Sequence, residues 1–267
     1  VPRYRRSIPI YEELMMLQPV TNQSIAEKKS FSVQVTTRPE EVREAQRLRW
    51  QVFAEEMGAH LMTPEQGLDI DLYDAFCEHL VVRDKQNGQV VGTYRILTPE
   101  AAISVGSYYS DQEFDLVRLQ HLRPRMVELG RSCVHPDYRS GSVITLLWLG
   151  LAEFMQKRGY DTLMGCASIA MQDGGHNATA IWKAIKDKHL APPEWRVFPR
   201  CALPLAALDT AVSPAIPPLI KGYLRAGALV AGEPAWDPDF NTADLLLLLP
   251  MKNLSPVYAR HFLKDHS

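Results

Sequence analysis

Met126-Val127-Glu128-Leu129-Gly130-Arg131-Ser132-Cys133-Val134 runs into His135-Pro136-Asp137-Tyr138-Arg139-Ser140-Gly141-Ser142 and then Val143-Ile144-Thr145-Leu146-Leu147-Trp148-Leu149-Gly150. The order reads as a strand, a short polar turn and an apolar helix. Small residues end the turn where the helix begins, so free backbone N–H groups and the helix dipole converge on one point that suits a phosphate. The strand has a buried composition yet carries Glu128 and Arg131, which is costly unless they pair or are used. A structural Glu–Arg pair and a functional pair both fit. In a regular strand Glu128 shares a face with Gly130 and Ser132, and Arg131 lies on the other. A bulge near Gly130 would turn Arg131 towards Glu128, splay the strand from its neighbour and leave backbone groups unpaired there.

Upstream of this stretch, Phe31 to Thr37 alternates apolar and polar residues and predicts a strand. A helix is predicted from Pro39-Glu40-Glu41 to Gly58, with Val42, Ala45, Leu48, Val52, Phe53 and Met57 at helical spacing and Arg49 on the same stripe. The loop from Ala59 to Phe76 carries Asp69, Asp71 and Asp74, which suit a cation or a helix cap better than a metal. Glu78–Asp84 and Gln89–Leu97 predict a hairpin with Asn87-Gly88 in its turn. Residues 98–125 form a long connection with a short helix expected at 111–117 and a basic end at Arg118, His121, Arg123 and Arg125.

Downstream, the helix from Ser142 is expected to stop at Gly159, followed by a strand at 161–167 and a helix from Asn177 to His189 with Ile181, Trp182 and Ile185 inward. Proline-rich extended segments over 191–218 include a strand near 195–198. A short helix over 217–226 and a buried strand over 244–249 complete the order. A hairpin followed by βαβ units implies an α/β fold with a mixed, twisted sheet and helices on both faces.

The 267 residues suffice for a large core, and 46% apolar with 22% charged residues is ordinary globular composition. A net charge of −2 argues against general nucleic-acid binding. Cys77, Cys133, Cys166 and Cys201 show no metal-site spacing and read as reduced thiols, so a cytoplasmic setting is expected. No run reaches the ~18 apolar residues of a membrane span. Residues 1–30 read as a basic N-terminal arm, either mobile or packed on the surface or else meeting an acidic partner or a membrane surface, and 31–267 as one domain.

This order, with its anion-ready turn after a central strand, resembles the GNAT acyltransferase fold. Leu48 to Phe53, Asp71 to Asp74, Val91 to Leu97 and Glu128 to Val134 are similar to the acyl-homoserine-lactone synthase branch. Glu55 to Ala59, Cys77 to Leu80, Ser107 to Ser110, Glu113 to Leu116, Gly165 to Ser168, Pro218 to Ala228 and Gly232 to Asp237 resemble the ornithine-lipid acyltransferases more closely. The resemblance covers about residues 31–260. It implies transfer of a 3-hydroxyacyl group from acyl carrier protein to the α-amine of L-ornithine, giving lyso-ornithine lipid, with contact at the cytoplasmic face of the inner membrane. The donor is then an acyl-phosphopantetheine on the carrier, with no tightly bound cofactor and no metal. Arg139-Ser140-Gly141-Ser142 is poorer in glycine than the usual GNAT coenzyme-A loop, which fits an arm with a single phosphate.

On this reading Glu128 holds or deprotonates the amine and Arg131 acts beside it. Asp71 and Asp74 hold the cationic amino acid, while Arg49 and Arg95 order these carboxylates or bind the substrate carboxylate. Cys133, Val134, Arg139, Ser140, Gly141 and Ser142 line the donor arm. Arg118, His121, Arg123, Arg125, Lys183, Lys186 and Lys188 are candidates for docking the acidic carrier. A different amine acceptor and a non-catalytic lipid-binding protein are the competing readings. GNAT enzymes need no covalent intermediate, so Cys133 and Cys166 are expected in the core.

Overall fold

Residues 126–150 fold as the sequence predicts. The computed structural model describes residues 30–208 and 212–254, so the expected N-terminal arm lies outside the described residues but for its last one. Strand β5 runs Met126–Val134 and helix α3 runs Ser142–Arg158. Gly141 caps the start of α3 at φ 98°, and Gly159 ends it at φ 70°. Both values lie in the left-handed region that a side chain disfavours, so glycines there fix the helix bounds.

The other strands are β1 Phe31–Thr36, β2 Glu78–Asp84, β3 Val90–Leu97, β4 Phe114–Asp115, β6 Thr162–Ala170, β7 Phe198–Pro199, β8 Leu229–Val230, β9 Ala235–Asp237 and β10 Thr242–Pro250. The helices are α1 Pro39–Trp50, α2 Pro99–Val105, α4 His176–His189 and α5 Pro218–Ala226. An eight-stranded sheet has the order β1-β2-β3-β5-β6-β10-β8, with β9 on β10. Only β5 and β6 pair in parallel among its named neighbours; the other pairs are antiparallel, so the sheet is mixed.

Alternate residues of β2 show why helices cover both faces. Leu80 and Val82 pack with Leu147 and Leu151 of α3, whereas Val81 packs with Ala45 and Leu48 of α1. Burying one such side chain stabilises the fold by roughly 1.5–3 kcal/mol. The α1 stripe continues through a π-helical turn, Gln51–Glu56, and ends at the half-exposed Met57.

The 98–125 connection departs from expectation. Helix α2 lies at its start, capped by Thr98, whose side chain accepts from Ala101 N, with Pro99 in the first turn and Gly106 as its stop. Residues 111–117 do not form one helix: 3-10 turns at Tyr109–Gln112 and Val117–Leu119 flank an extended Phe114–Asp115. Phe114 and Leu116 are buried while Asp115 is exposed, and Phe114–Asp115 pairs with Phe198–Pro199. That in–out alternation is the period of a strand, and it wins over helical propensity because Phe114 completes the core under β10.

Candidate active site

Strands β5 and β6 pair only from Met126–Thr162 to Glu128–Met164. Beyond Glu128 the β6-facing edge of β5 is free, and the two strands part. Gly165 sits where they part: a Cβ there would lie 2.5 Å from the Leu129 carbonyl oxygen. On the other edge, β3 pairs Arg95 with Gly130 and Thr93 with Cys133, so Arg131 and Ser132 face the single residue Tyr94. This is the expected bulge, one residue later than Gly130. Arg131 itself adopts φ 49°, a strained state for a residue with a long side chain. The bulge brings the Arg131 side chain to the face that carries Arg95 and Glu128.

Glu128 and Arg131 do not form an ion pair. Arg131 donates to Asp69 Oδ2 at 3.1 Å and to Asp71 Oδ2 at 3.2 Å. Its guanidinium lies 5.0 Å from the Tyr109 ring and 4.8 Å from the Phe240 ring, a double cation–π contact. Glu128, 4% exposed, accepts from Tyr109 N at 2.6 Å, from Ser110 N at 2.8 Å and from the Ser110 hydroxyl. Burial raises the Glu128 pKa, while the Ser110 and Tyr109 hydrogen bonds oppose it.

Behind Arg131 lies a closed network. Arg49, fully buried, donates to Asp69 Oδ2 at 2.7 Å and to both oxygens of Asp74 at 2.8 Å. Arg95 reaches Asp71 Oδ1 at 2.6 Å and Asp74 Oδ1 at 3.3 Å. Three arginines thus meet three aspartates, and every charge is matched. Burial alone would raise the Asp74 pKa, but the Arg49 hydrogen bonds and the Arg49 and Arg95 charges overcome it and hold it below the usual carboxylate range. Asp71 also caps the Leu72–Ala75 turn through Tyr73 N and Asp74 N. The interior pair Arg49–Asp74 and the partly open pair Arg131–Asp71, 12% and 21% exposed at their side chains, therefore differ in reach.

The residues expected along the donor arm gather at the far end of β5 and the start of α3. Cys133 is buried beside Ala45 and Leu48, and burial pushes its thiol up to about 12, which leaves it inert as a nucleophile at neutral pH. Val134 pairs with Gly92, and its carbonyl accepts from Arg139 Nε at 3.0 Å. The Arg139 guanidinium is held by Glu56 at 2.6 and 2.7 Å. Ser140 and Ser142 are exposed around Gly141, and no side chain caps α3. A neighbouring hollow of about 350 Å³ is lined by Glu55, Glu56 and Asp137, an acidic wall that does not suit a phosphate.

Sequence reading gave no role to the Tyr108–Glu113 turn, yet it joins the two halves of the site. Tyr109 covers Arg131 and Ser110 binds Glu128. Next to them, Glu113, Cys166 and Asp244 bring potential ligand atoms within 4.8 Å of one another. Burial first, then the Asp244 and Asp237 charges, push Glu113 up to about 9. Burial pushes Asp244 up to about 6. The motifs Ser107 to Ser110 and Glu113 to Leu116 were the available signal, but only the fold shows what they touch.

A family model described as an acetyltransferase (GNAT) domain matches residues 48–149. A protein of Rhodobacter capsulatus named L-ornithine N(alpha)-acyltransferase is 38% identical over 241 residues, 85% of this chain and 92% of that protein. One of Agrobacterium fabrum with the same name is 37% identical over 241 residues, 83% of this chain and 81% of its own length. The chain belongs to the L-ornithine N(alpha)-acyltransferase family. As members of this family are N-acyltransferases, the groups around the β5–β6 split have an amine and an acyl donor to account for. The fold is also that of the acyl-homoserine lactone synthase LasI, with TM-score 0.52 and 16% identity over 88% of this chain and 95% of that one. The synthase BjaI, solved with SAM and isopentyl-CoA, has TM-score 0.51 and 17% identity over 84% and 83% of the two chains.

The charged groups make acid stability a measurable property of this family member. His79 is buried, and burial and the Arg49 charge push it down to about 4, so it folds neutral. Its unfolded state takes up a proton as pH falls through ~6.5, which lowers stability. Asp74 and Glu41, the latter lowered to about 2 chiefly by the Arg38 hydrogen bond, contribute stability above ~3.9–4.3 that is lost as pH falls further. Glu113 and Asp244, with raised values, act in the opposite direction between their folded and unfolded pKa values. Between pH ~4.5 and ~6.5 the loss from His79 and the gains from Glu113 and Asp244 therefore oppose each other as pH falls, and below ~4 the urea midpoint is expected to drop as Asp74 and Glu41 lose their contribution. An unchanged midpoint at pH 3.5 would contradict the network's depressed carboxylates.

Proposed function

We propose that the chain moves an acyl group from a carrier-bound phosphopantetheine thioester to the α-amine of L-ornithine. The observation that carries this reading is the β5–β6 split, with Glu128 at its closed end and the bulged Arg131 beside it, in a chain of this family. Backbone N–H groups of β5 and β6 beyond the last paired residues, Glu128 and Met164, would suit the tetrahedral oxyanion. The substrate ammonium gives one proton to Glu128 through the Ser110 hydroxyl, which passes on its own. The amine nitrogen then bonds the thioester carbon, the C–S bond breaks, and the second N–H proton ends on the departing thiol. Arg131 and Asp71, the partly open members of the network, hold the α-carboxylate and the α-ammonium of the amino acid. Arg49, Arg95 and Asp74 keep those two in place. Val134, Ser140, Gly141 and Ser142 with the α3 N-terminus take the pantetheine arm and its phosphate, and Cys133 and Arg139 support that wall.

For the carrier protein the geometry favours a different surface from the basic 118–125 segment. Arg125 directly precedes Met126, so that segment sits about 25–30 Å from the far end of the nine-residue β5, at ~3.3 Å per residue. Arg123 is also paired with Asp111, and Arg125 with Asp161. Near the α3 N-terminus, Tyr138 donates to Asp84 at 2.9 Å and accepts from Asn87 at 3.3 Å, which ties the hairpin that carries exposed Lys85 to the turn before α3. We assign carrier docking to this end of the sheet with Lys85 as its exposed cation, and any membrane contact as peripheral.

The decisive experiment offers purified protein an acyl-carrier thioester and L-ornithine and looks for N-acylornithine by mass spectrometry. Absence of the amide with every amino acid tried would overturn the reading. Lys85→Glu is expected to raise KM for the carrier substrate ~10-fold at low salt, with little change at high salt. A KM independent of both salt and Lys85 would remove this docking surface.

A further inference from the structure

On the far side of Ser110 from Glu128 lies a cluster that the reaction above does not use. Ser110 Oγ is 3.3 Å from Cys166 Sγ, which is 3.5 Å from Glu113 Oε2. Cys166 comes from β6, Asp244 from β10 and Glu113 from the turn before β4. Asp244 is 4% exposed, and its Oδ1 has no hydrogen-bond partner among the described residues. Its carboxylate lies within 4.8 Å of the Glu113 and Cys166 ligand atoms. Glu113 and Cys166 are only partly buried, so the cluster opens on their side.

The contrast with the arginine network is direct. Asp69, Asp71 and Asp74 each have an arginine; among the described residues Glu113 and Asp244 have no ion pair with Lys, Arg or His. Two neighbouring carboxylates without a cation repel each other, and burial adds to the cost. The raised pKa values of both groups record that cost. Burial also holds the Cys166 thiol well above its usual value, so it adds a neutral, weakly accepting wall rather than a third charge. Among the described residues a retained proton shared between Glu113 and Asp244 meets that cost, and a cation from outside could take its place.

We infer that Glu113 and Asp244 hold the side-chain ammonium of the acceptor and thereby select a diamino acid over a neutral one. The inference rests on the ornithine reading and names the part of the site that recognises it. Ornithine carries its two nitrogens on either side of four carbons. Glu128 and Ser110 stand at one end of that span, Glu113 and Asp244 at the other. The contacts of 3.3 and 3.5 Å that link them are of the order of an extended chain at about 1.5 Å per bond. An ammonium is compact and has three donors, which match two carboxylates and a thiol sulfur.

The test compares L-ornithine with L-norvaline, which has the same carbon chain without the δ-amine. Wild type is expected to prefer ornithine in kcat/KM. Glu113→Gln and, independently, Asp244→Asn are expected to lower that preference ~10-fold or more, mainly through KM for ornithine. Thermal unfolding checks that each variant is folded, and the wild-type preference stands even if one is not. Equal losses on both substrates would make the pair structural and overturn the inference, as would a wild type that acylates norvaline as well as ornithine. So would a stoichiometric metal ion in purified wild type that Glu113→Gln loses, because the cluster would then be a metal site. A wild type that acylates neither amino acid would instead fell the ornithine reading itself, and the pocket with it.

Discussion

Glu128→Gln is expected to lower turnover ~100-fold or more, the range for loss of a general base, and to destabilise the fold by about 1–3 kcal/mol. The second effect follows from the hydrogen bonds. Glu128 Oε1 accepts from Ser110 N and the Ser110 hydroxyl, and Oε2 accepts from Tyr109 N. A glutamine can keep the first oxygen, but its amide N–H then faces the Tyr109 N–H, two donors with no acceptor between them. A fall in activity alone would therefore not separate base from scaffold. The pH profile does. A buried carboxylate with a raised pKa gives kcat/KM an acid limb, with activity rising as the carboxylate loses its proton. That limb is expected in wild type and absent in folded Glu128→Gln. A folded variant with nearly full turnover, or with the acid limb intact, would move the base elsewhere and leave Glu128 as the anchor of the Tyr109–Ser110 turn.

The elements that were legible in the sequence carry their own local signals. Gly141 and Gly159 bracket α3, Pro39 with Glu40 and Glu41 opens α1, and Asn87-Gly88 turns the hairpin; each fixes backbone geometry with no help from distant residues. Thr98-Pro99-Glu100 and Gly106 are the same kind of signal for α2, but its seven residues carry too little periodicity to stand out inside a long connection. The bulge was legible as a need, because Glu128 and Arg131 cannot share a face in a regular strand. Its place near Gly130 was legible as well, but not which residue takes the left-handed backbone. A glycine is the usual residue for such a kink, yet here Arg131 takes the left-handed conformation, held there by Asp69, Asp71, Tyr109 and Phe240. Those contacts come from three different segments. The same is true of Glu113, Cys166 and Asp244, which lie far apart in the chain. Chemistry assembled across elements is invisible until sheet order brings the elements together.

Arg49→Met is expected to cost about 3–5 kcal/mol, the range for breaking a buried ion pair from one side. Arg49 has no exposed surface, and its loss leaves Asp69 and Asp74 sharing the remaining arginines. Adding Asp74→Leu should restore part of that loss. The double variant keeps a balanced chain in which Arg95 meets Asp71, Asp71 meets Arg131 and Arg131 meets Asp69. It also replaces an expensive buried pair by apolar volume, although Asp74 gives up its bonds to Gln46 and to Asp71 N. Urea unfolding of wild type, both single variants and the double variant measures the coupling, expected at 0.5–3 kcal/mol. Strict additivity would mean that the two residues act independently and that the network is not the unit described. The cycle reaches function as well. Arg131 stays at φ 49° only while its aspartates hold it, and Asp69 is shared between Arg131 and Arg49. A double variant that recovers stability but not KM for the amino acid would locate the role of Arg49 in the placement of Arg131, whereas full recovery of both would confine it to the core.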